Sequence, residues 1–132
     1  MDRHDFINKF LNIFAKNISP KELKTYHIGA KSGEFLWNLF AGKLISCLSG
    51  DKARQEYDKA NKVGAEEIQF SSDFIGYDDL NTYPLSDEHR TACDIDKSGL
   101  IEFYVIGKDF AWCYVVTHEG DLCGPYFCYA PK

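Results

Sequence analysis

Residues 100–129 read LIEFYVIGKDFAWCYVVTHEGDLCGPYFCY, and this stretch decides the fold. Three apolar runs, over residues 100–106, 110–118 and 122–129, are parted by Gly107-Lys108-Asp109 and Glu119-Gly120-Asp121. Short runs rich in aromatic and β-branched residues, separated by Gly- and Asp-bearing turns, predict an antiparallel meander. Gly124-Pro125 marks a bulge or an edge in the last run, because proline cannot donate to a ladder. Side chains alternate across a strand. The middle run therefore puts Phe110, Trp112, Tyr114, Val116 and His118 on one bulky face. Ala111, Cys113, Val115 and Thr117 form the opposite, small face.

Toward the N-terminus the period becomes helical. Phe6, Ile7, Phe10, Leu11, Ile13 and Phe14 recur at helical spacing, with Asp2 as N-cap. Ser19-Pro20-Lys21-Glu22 is a capping box with proline in the first turn. It opens a short helix carrying Leu23, Tyr26 and His27, which Gly29 ends. Residues 34–41 form an apolar cluster around Trp37, read as a short buried helix, although periodicity leaves a strand open. Residues 44–48 are a short strand or an extended link. Ser49-Gly50-Asp51 then caps a polar helix to about Asn61. Its buried stripe is Ala53, Tyr57 and Ala60, and the pairs Lys52–Glu56 and Arg54–Asp58 support its outer face. Ile68 and Phe70 alternate as a strand, residues 71–84 are irregular, and residues 86–93 hold one helical turn. Helices before strands predict an α+β protein, with N-terminal helices packed on one face of a small antiparallel sheet that ends in the meander. The 132 residues fit one domain, 1–132.

Composition narrows the classes. The chain is 45% hydrophobic with 10 Phe, 8 Tyr and 2 Trp, which excludes a disordered chain. No apolar run approaches the roughly 20 residues of a membrane span, and Met1-Asp2-Arg3-His4-Asp5 does not open a signal peptide. With an odd count of 5 cysteines, this predicts a cytoplasmic protein with reduced thiols. Net charge is −5, but it is unevenly spread. Residues 1–66 hold 11 basic and 8 acidic side chains, and residues 67–132 hold 4 basic and 12 acidic ones. The acids crowd between Glu66 and Asp96, where Arg90 is the only cation. Such a window is either a solubilising face or a dock for a basic partner. An acidic chain is not a general nucleic-acid binder.

Two blocks carry a family likeness: FLWNLFAGKLISCLSGDKARQEYDKA over residues 35–60, and IEFYVIGKDFAWCYVVTHEGDLCGPYF over residues 101–127. Together they resemble an uncharacterised domain-of-unknown-function family of small bacterial proteins. The resemblance spans about two fifths of the chain, leaving the first helix and the acidic window outside it. It implies a bacterial, cytosolic protein and brings no activity with it. Where that pattern places a histidine after the first tryptophan, this chain has Asn38.

Several constellations invite chemistry. Asp94-Ile95-Asp96-Lys97-Ser98-Gly99 resembles the start of a calcium loop, with oxygens from Asp94, Asp96 and Ser98. Position 12 of that loop is Val105 where a bidentate Glu is required, so a polar turn feeding a strand is the expected reading. Cys113, His118, Cys123 and Cys128 have zinc-type ligands without zinc-type spacing. No metal and no cofactor are expected. Gly29-Ala30-Lys31-Ser32-Gly33 lacks the phosphate-loop spacing. His118 and Glu119, with Cys123 nearby, are the candidates for acid–base or nucleophilic work. Trp37 and Trp112 suit a core, but Trp112 or Tyr114 could instead head an aromatic contact surface. The expectation is a binding module, more readily than an enzyme, that meets a basic protein as an immunity protein meets a toxin. Asp73, Asp78, Asp79 and Asp87 would steer the partner, and Trp112 and Tyr114 would hold it. The alternative is a small enzyme or ligand-binding domain centred on His118 and Glu119.

Overall fold

Trp112–Val116 is covered on both sides, and the rest of the molecule is arranged around that strand. The computed structural model describes residues 3–25, 39–40, 44–70, 80–99, 103–116 and 124–131. In chain order these hold α1 (Arg3–Phe14), α2 (Pro20–Thr25), β1 (Leu48–Ser49), α3 (Asp51–Lys59), β2 (Glu66–Phe70) and β3 (Leu80–Pro84). A 3-10 turn at Asp87–His89, α4 (Ala92–Ser98), β4 (Phe103–Ile106), β5 (Trp112–Val116) and β6 (Tyr126–Tyr129) follow. Among the described residues the strands form one sheet in the order β1-β6-β5-β4-β2-β3, with every neighbouring pair antiparallel. The fold is α+β, as the sequence predicts.

One face of the sheet receives α1. Phe6, Phe10 and Phe14 recur every four residues, so they share one side of that helix. With Ile7 they pack over Tyr104, Cys113 and Val115. The Phe10 ring lies 4.6 Å from Phe14 and 5.9 Å from Tyr104, and each buried ring contributes about 2–3 kcal/mol of gross burial energy. The helical residues Leu39 and Phe40 extend this layer, with Phe40 stacked on Tyr126 at 5.3 Å. The opposite face receives α3 and α4. Ala53 and Tyr57 of α3 lie over Trp112, Tyr114 and Phe127, and Ala92 and Ile95 of α4 join the same cluster. Tyr57 stacks on Tyr114 at 4.3 Å and meets Trp112 edge-on at 5.8 Å. The sequence reading had helices on one face; the structure adds a second helical layer on the other.

The faces of β5 divide as its alternation predicts, with Trp112 and Tyr114 on one and Cys113 and Val115 on the other. Phe110 departs from that expectation. Gly107 to Ala111 is a longer connection than a three-residue turn, containing a 3-10 turn at Lys108–Phe110. Asp109 and Phe110 both take positive φ, 58° and 57°. That left-handed backbone swings the Phe110 ring off the Trp112 side and onto α1, 6.1 Å from Phe6. Helix placement between β3 and β4 also differs from expectation. The one helical turn expected within residues 86–93 is the 3-10 turn Asp87–His89, and α4 at Ala92–Ser98 is a further helix that the sequence reading does not contain. The described part of the fourth strand begins at Phe103.

The capping box at Ser19 is present: its Oγ accepts from the Glu22 N–H at 3.2 Å and donates to the Glu22 carboxylate at 3.3 Å. Along α3 the structure shows two ion pairs of Arg54. Arg54 binds Asp51 at 2.9 Å and Asp96 of α4 at 3.0 Å. Asp58 accepts the Ala92 N–H at 2.8 Å, taking one of the free donors at the start of α4. Polar groups of α3 thus fasten α4, which is too short to hold itself.

Gly107 is buried and sits against the Trp112 indole; a Cβ built there would lie 2.6 Å from Cε2 and 2.7 Å from Cδ1. The indole is stacked on Phe127 at 5.5 Å, so it has no room to retreat. Gly107→Ala is expected to cost about 1–3 kcal/mol, read as a lower urea midpoint with an unchanged slope.

Candidate functional site

Among the described residues, the buried charged side chain is that of Glu67. On β2 it stands opposite Tyr83 of β3 and Val105 of β4, on the same face as α3 and α4. Its neighbour Ile68 faces α1. Glu67 therefore points into the second layer, with its side chain 4% exposed. One carboxylate oxygen accepts the Ser86 N–H at 3.0 Å, and the other contacts His89 Nδ1 at 2.8 Å. The His89 ring, 15% exposed, sits edge-on to Phe103 at 5.2 Å. The Tyr57 hydroxyl donates to the His89 carbonyl oxygen at 2.5 Å. Three elements, β2, α3 and the Asp87–His89 turn, are thereby tied at one point. A carboxylate on Nδ1 orients an imidazole, and here that orientation presents the loop that carries the exposed acids.

Those acids are Asp87 and Glu88, followed by Asp94 on α4, and all three are on the surface. Asp87 is 92% exposed and is held by Arg90 at 2.8 Å. Ser86 caps the turn through the Glu88 N–H, and Thr91 caps α4 through the Asp94 N–H. On β3, at the edge of the sheet, Tyr83 is 49% exposed. The described surface thus combines exposed carboxylates on a capped turn and helix with a half-exposed ring on the edge strand that precedes them in the chain.

Asp73, Asp78, Asp79, His118, Glu119 and Cys123 lie outside the described residues, as do Trp37 and Asn38. Trp112 and Tyr114 do not form an outward aromatic surface: they are 5% and 0% exposed beneath α3. Covering both faces of β5 takes Trp112 and Tyr114 out of solvent. Asp94, Asp96 and Ser98 are not a turn either, because all three lie on α4 and Gly99 ends that helix at φ 72°. On a helix, residue 96 is turned about 200° from residue 94, so these oxygens do not converge. Asp96 binds Arg54 at 3.0 Å. Among the described residues no three His, Cys, Asp or Glu side chains are grouped to hold a metal ion. Nor is any described helix long and apolar enough to cross a membrane.

Glu67 and His89 were missed in the sequence. Glu67 falls in the acidic window, which the sequence leaves as either a solubilising face or a dock, and no motif marks His89. The only local signal is Glu67 alternating with Ile68 on a strand, and it becomes informative once both faces of the sheet are known to be covered.

The chain belongs to the family described as domain of unknown function DUF4275, which matches residues 4–127. That match includes the first helix and the acidic window, so the family likeness reaches well beyond the two sequence blocks that carry it. No curated protein and no solved structure matches the chain.

Two outcomes follow from this geometry. Glu67→Ala leaves the Ser86 N–H and the His89 ring without this acceptor, at an expected cost of about 2–3 kcal/mol. Chemical denaturation reads that loss, and hydrogen exchange at the Ser86 amide should quicken. The second concerns Tyr57. Burial foremost, then Tyr114 and the carboxylates of Glu67 and Asp58, push its hydroxyl well above the ordinary range. The unfolded chain ionises this phenol near pH 10 while the folded chain keeps it neutral. Its contribution is intact below about pH 10 and is lost as pH rises beyond, by up to about 1.4 kcal/mol per pH unit. Tyr57→Phe should cost about 1 kcal/mol at neutral pH and flatten the alkaline fall, as read by urea unfolding at pH values on either side of about 10.

Proposed function

We propose that this chain is a bacterial, cytoplasmic binding module that engages a basic protein, in the manner of an immunity protein neutralising a basic toxin. One observation carries the reading: the Glu67–His89 anchor fixes a surface loop whose Asp87 and Glu88 are exposed, with Asp94 exposed on the next helix. Carboxylates held on a rigid base attract a cationic partner without the entropy cost of ordering a free loop. Tyr83, on the adjacent sheet edge, takes the contact role that buried Trp112 and Tyr114 cannot fill. A toxin that grips phosphate is itself basic, which supplies the complementary surface.

The test begins with capture from the native host's lysate at low and high salt, read by mass spectrometry. A stoichiometric basic protein, retained at low salt and weakened at high salt, is the expected result. Association kinetics of that partner with the triple variant Asp87→Asn, Glu88→Gln, Asp94→Asn should then slow by about tenfold at low salt and converge with the unsubstituted protein at high salt. Tyr83→Ala should instead raise the dissociation rate. An association rate unchanged by the triple variant at low salt would sink the electrostatic reading.

A further inference from the structure

Three thiols lie in one row across the sheet, a feature the binding proposal does not use. Cys113 on β5 stands opposite Cys128 on β6. On the other side of β6, Leu48 pairs with Phe127 and Ser49 with Tyr126, and that register continued by one residue sets Cys47 opposite Cys128. All three belong to the cluster under α1, with Cys113 and Cys128 buried and Cys47 partly exposed. The Cys128 Sγ lies 3.3 Å from the Ser46 carbonyl oxygen, which places the Ser46–Cys47 segment beside it.

Ladder geometry separates the two possible pairings of Cys128. The Gly50 N–H donates to the Pro125 carbonyl at 2.9 Å, so the bonded positions between β1 and β6 are 50 with 125 and 48 with 127. Alternation makes 47 with 128 a non-bonded position, where opposed Cα atoms come to about 4.5 Å and side chains are nearest. The Ala130 N–H donates to the Ala111 carbonyl at 2.9 Å. The same alternation makes 113 with 128 a bonded position, about 5.5 Å between Cα atoms, with side chains farther apart. A disulfide needs Cβ atoms about 3.8 Å apart, which favours the non-bonded position.

We infer that Cys47 and Cys128 are a dithiol that a low-molecular-weight disulfide oxidises to a cross-strand bridge, stapling edge strand β1 to β6. Cys47, the more exposed, attacks one sulfur of the reagent as thiolate. The reagent's S–S bond breaks, its first thiol leaves, and a mixed disulfide remains on Cys47. Cys128 then attacks the Cys47 sulfur and expels the second reagent thiol. The protein gives up two thiol protons and two electrons, and one reagent disulfide takes them up to become two thiols. Burial raises both thiols, Cys128 to about 11, so the bridge forms by slow exchange instead of as a fast peroxide response.

The test incubates the native full-length chain with oxidised glutathione at mildly alkaline pH, blocks remaining thiols and maps peptides by mass spectrometry. The expected product is a Cys47–Cys128 linked pair, lighter by two hydrogens than its reduced peptides. Cys113→Ser should retain that bridge, while Cys47→Ser and Cys128→Ser each abolish it with an unchanged circular dichroism spectrum. The oxidised chain should unfold at a higher urea concentration than the reduced chain, because the bridge restricts a long loop in the unfolded state. A Cys113–Cys128 bridge would overturn the inference. So would a bridge from Cys47 to any cysteine other than Cys128, or the absence of any bridge while exposed Cys93 takes up glutathione.

Discussion

The structure depends on burying β5 from both sides. Its alternation sets large rings against small side chains: Trp112 and Tyr114 on one face, Cys113 and Val115 on the other. The layers that cover these faces are complementary in volume. The small face takes α1, which brings three phenylalanine rings. The bulky face takes α3, whose contacts are Ala53 and the flat ring of Tyr57 stacked on Tyr114. Close packing demands this match, because a large helix stripe on the large face would force the layers apart.

The second layer is held by polar contacts as much as by burial. Its helices are short, with nine residues in α3 and seven in α4. Helices of that length do not persist on propensity. Asp58 on the Ala92 N–H, Arg54 on Asp96, and Lys62 folded back onto the carbonyls at the end of α3 supply what the short apolar stripes do not. Glu67 and His89 complete this set at the edge of the sheet. Removing Asp58 or Glu67 leaves part-buried groups at Ala92, Ser86 and His89 without that partner, which costs more than losing the exposed Arg54–Asp96 pair, where water takes over. The proposed partner surface rests on this layer, and its rigidity follows from the same contacts.

Much of the fold was legible in local patterns. The period of four in α1, the Ser19 capping box, the Ala53–Tyr57 stripe and the β5 alternation all read through to the structure. Phe110 did not, because a left-handed backbone in the preceding turn reverses its side. Less of the site was legible. Asp87 could be seen as an exposed acid, but Glu67 lay within the same acidic window and is buried, and a charge count cannot separate one from the other.

The sequence by itself determined α1, α3, the alternation of β5 and the α+β class, because periodicity and capping are local properties of adjacent residues; it did not mark β3 or α4. Only the tertiary structure decided that helices cover both faces of the sheet. That single fact buries Trp112 and Tyr114, turns Glu67 inward onto His89, and lays Asp94, Asp96 and Ser98 along a helix. Local pattern marks which side of a strand is apolar. What lies on the far side depends on residues distant in sequence, where the energy of packing two layers against one strand overrides the preference of either segment alone.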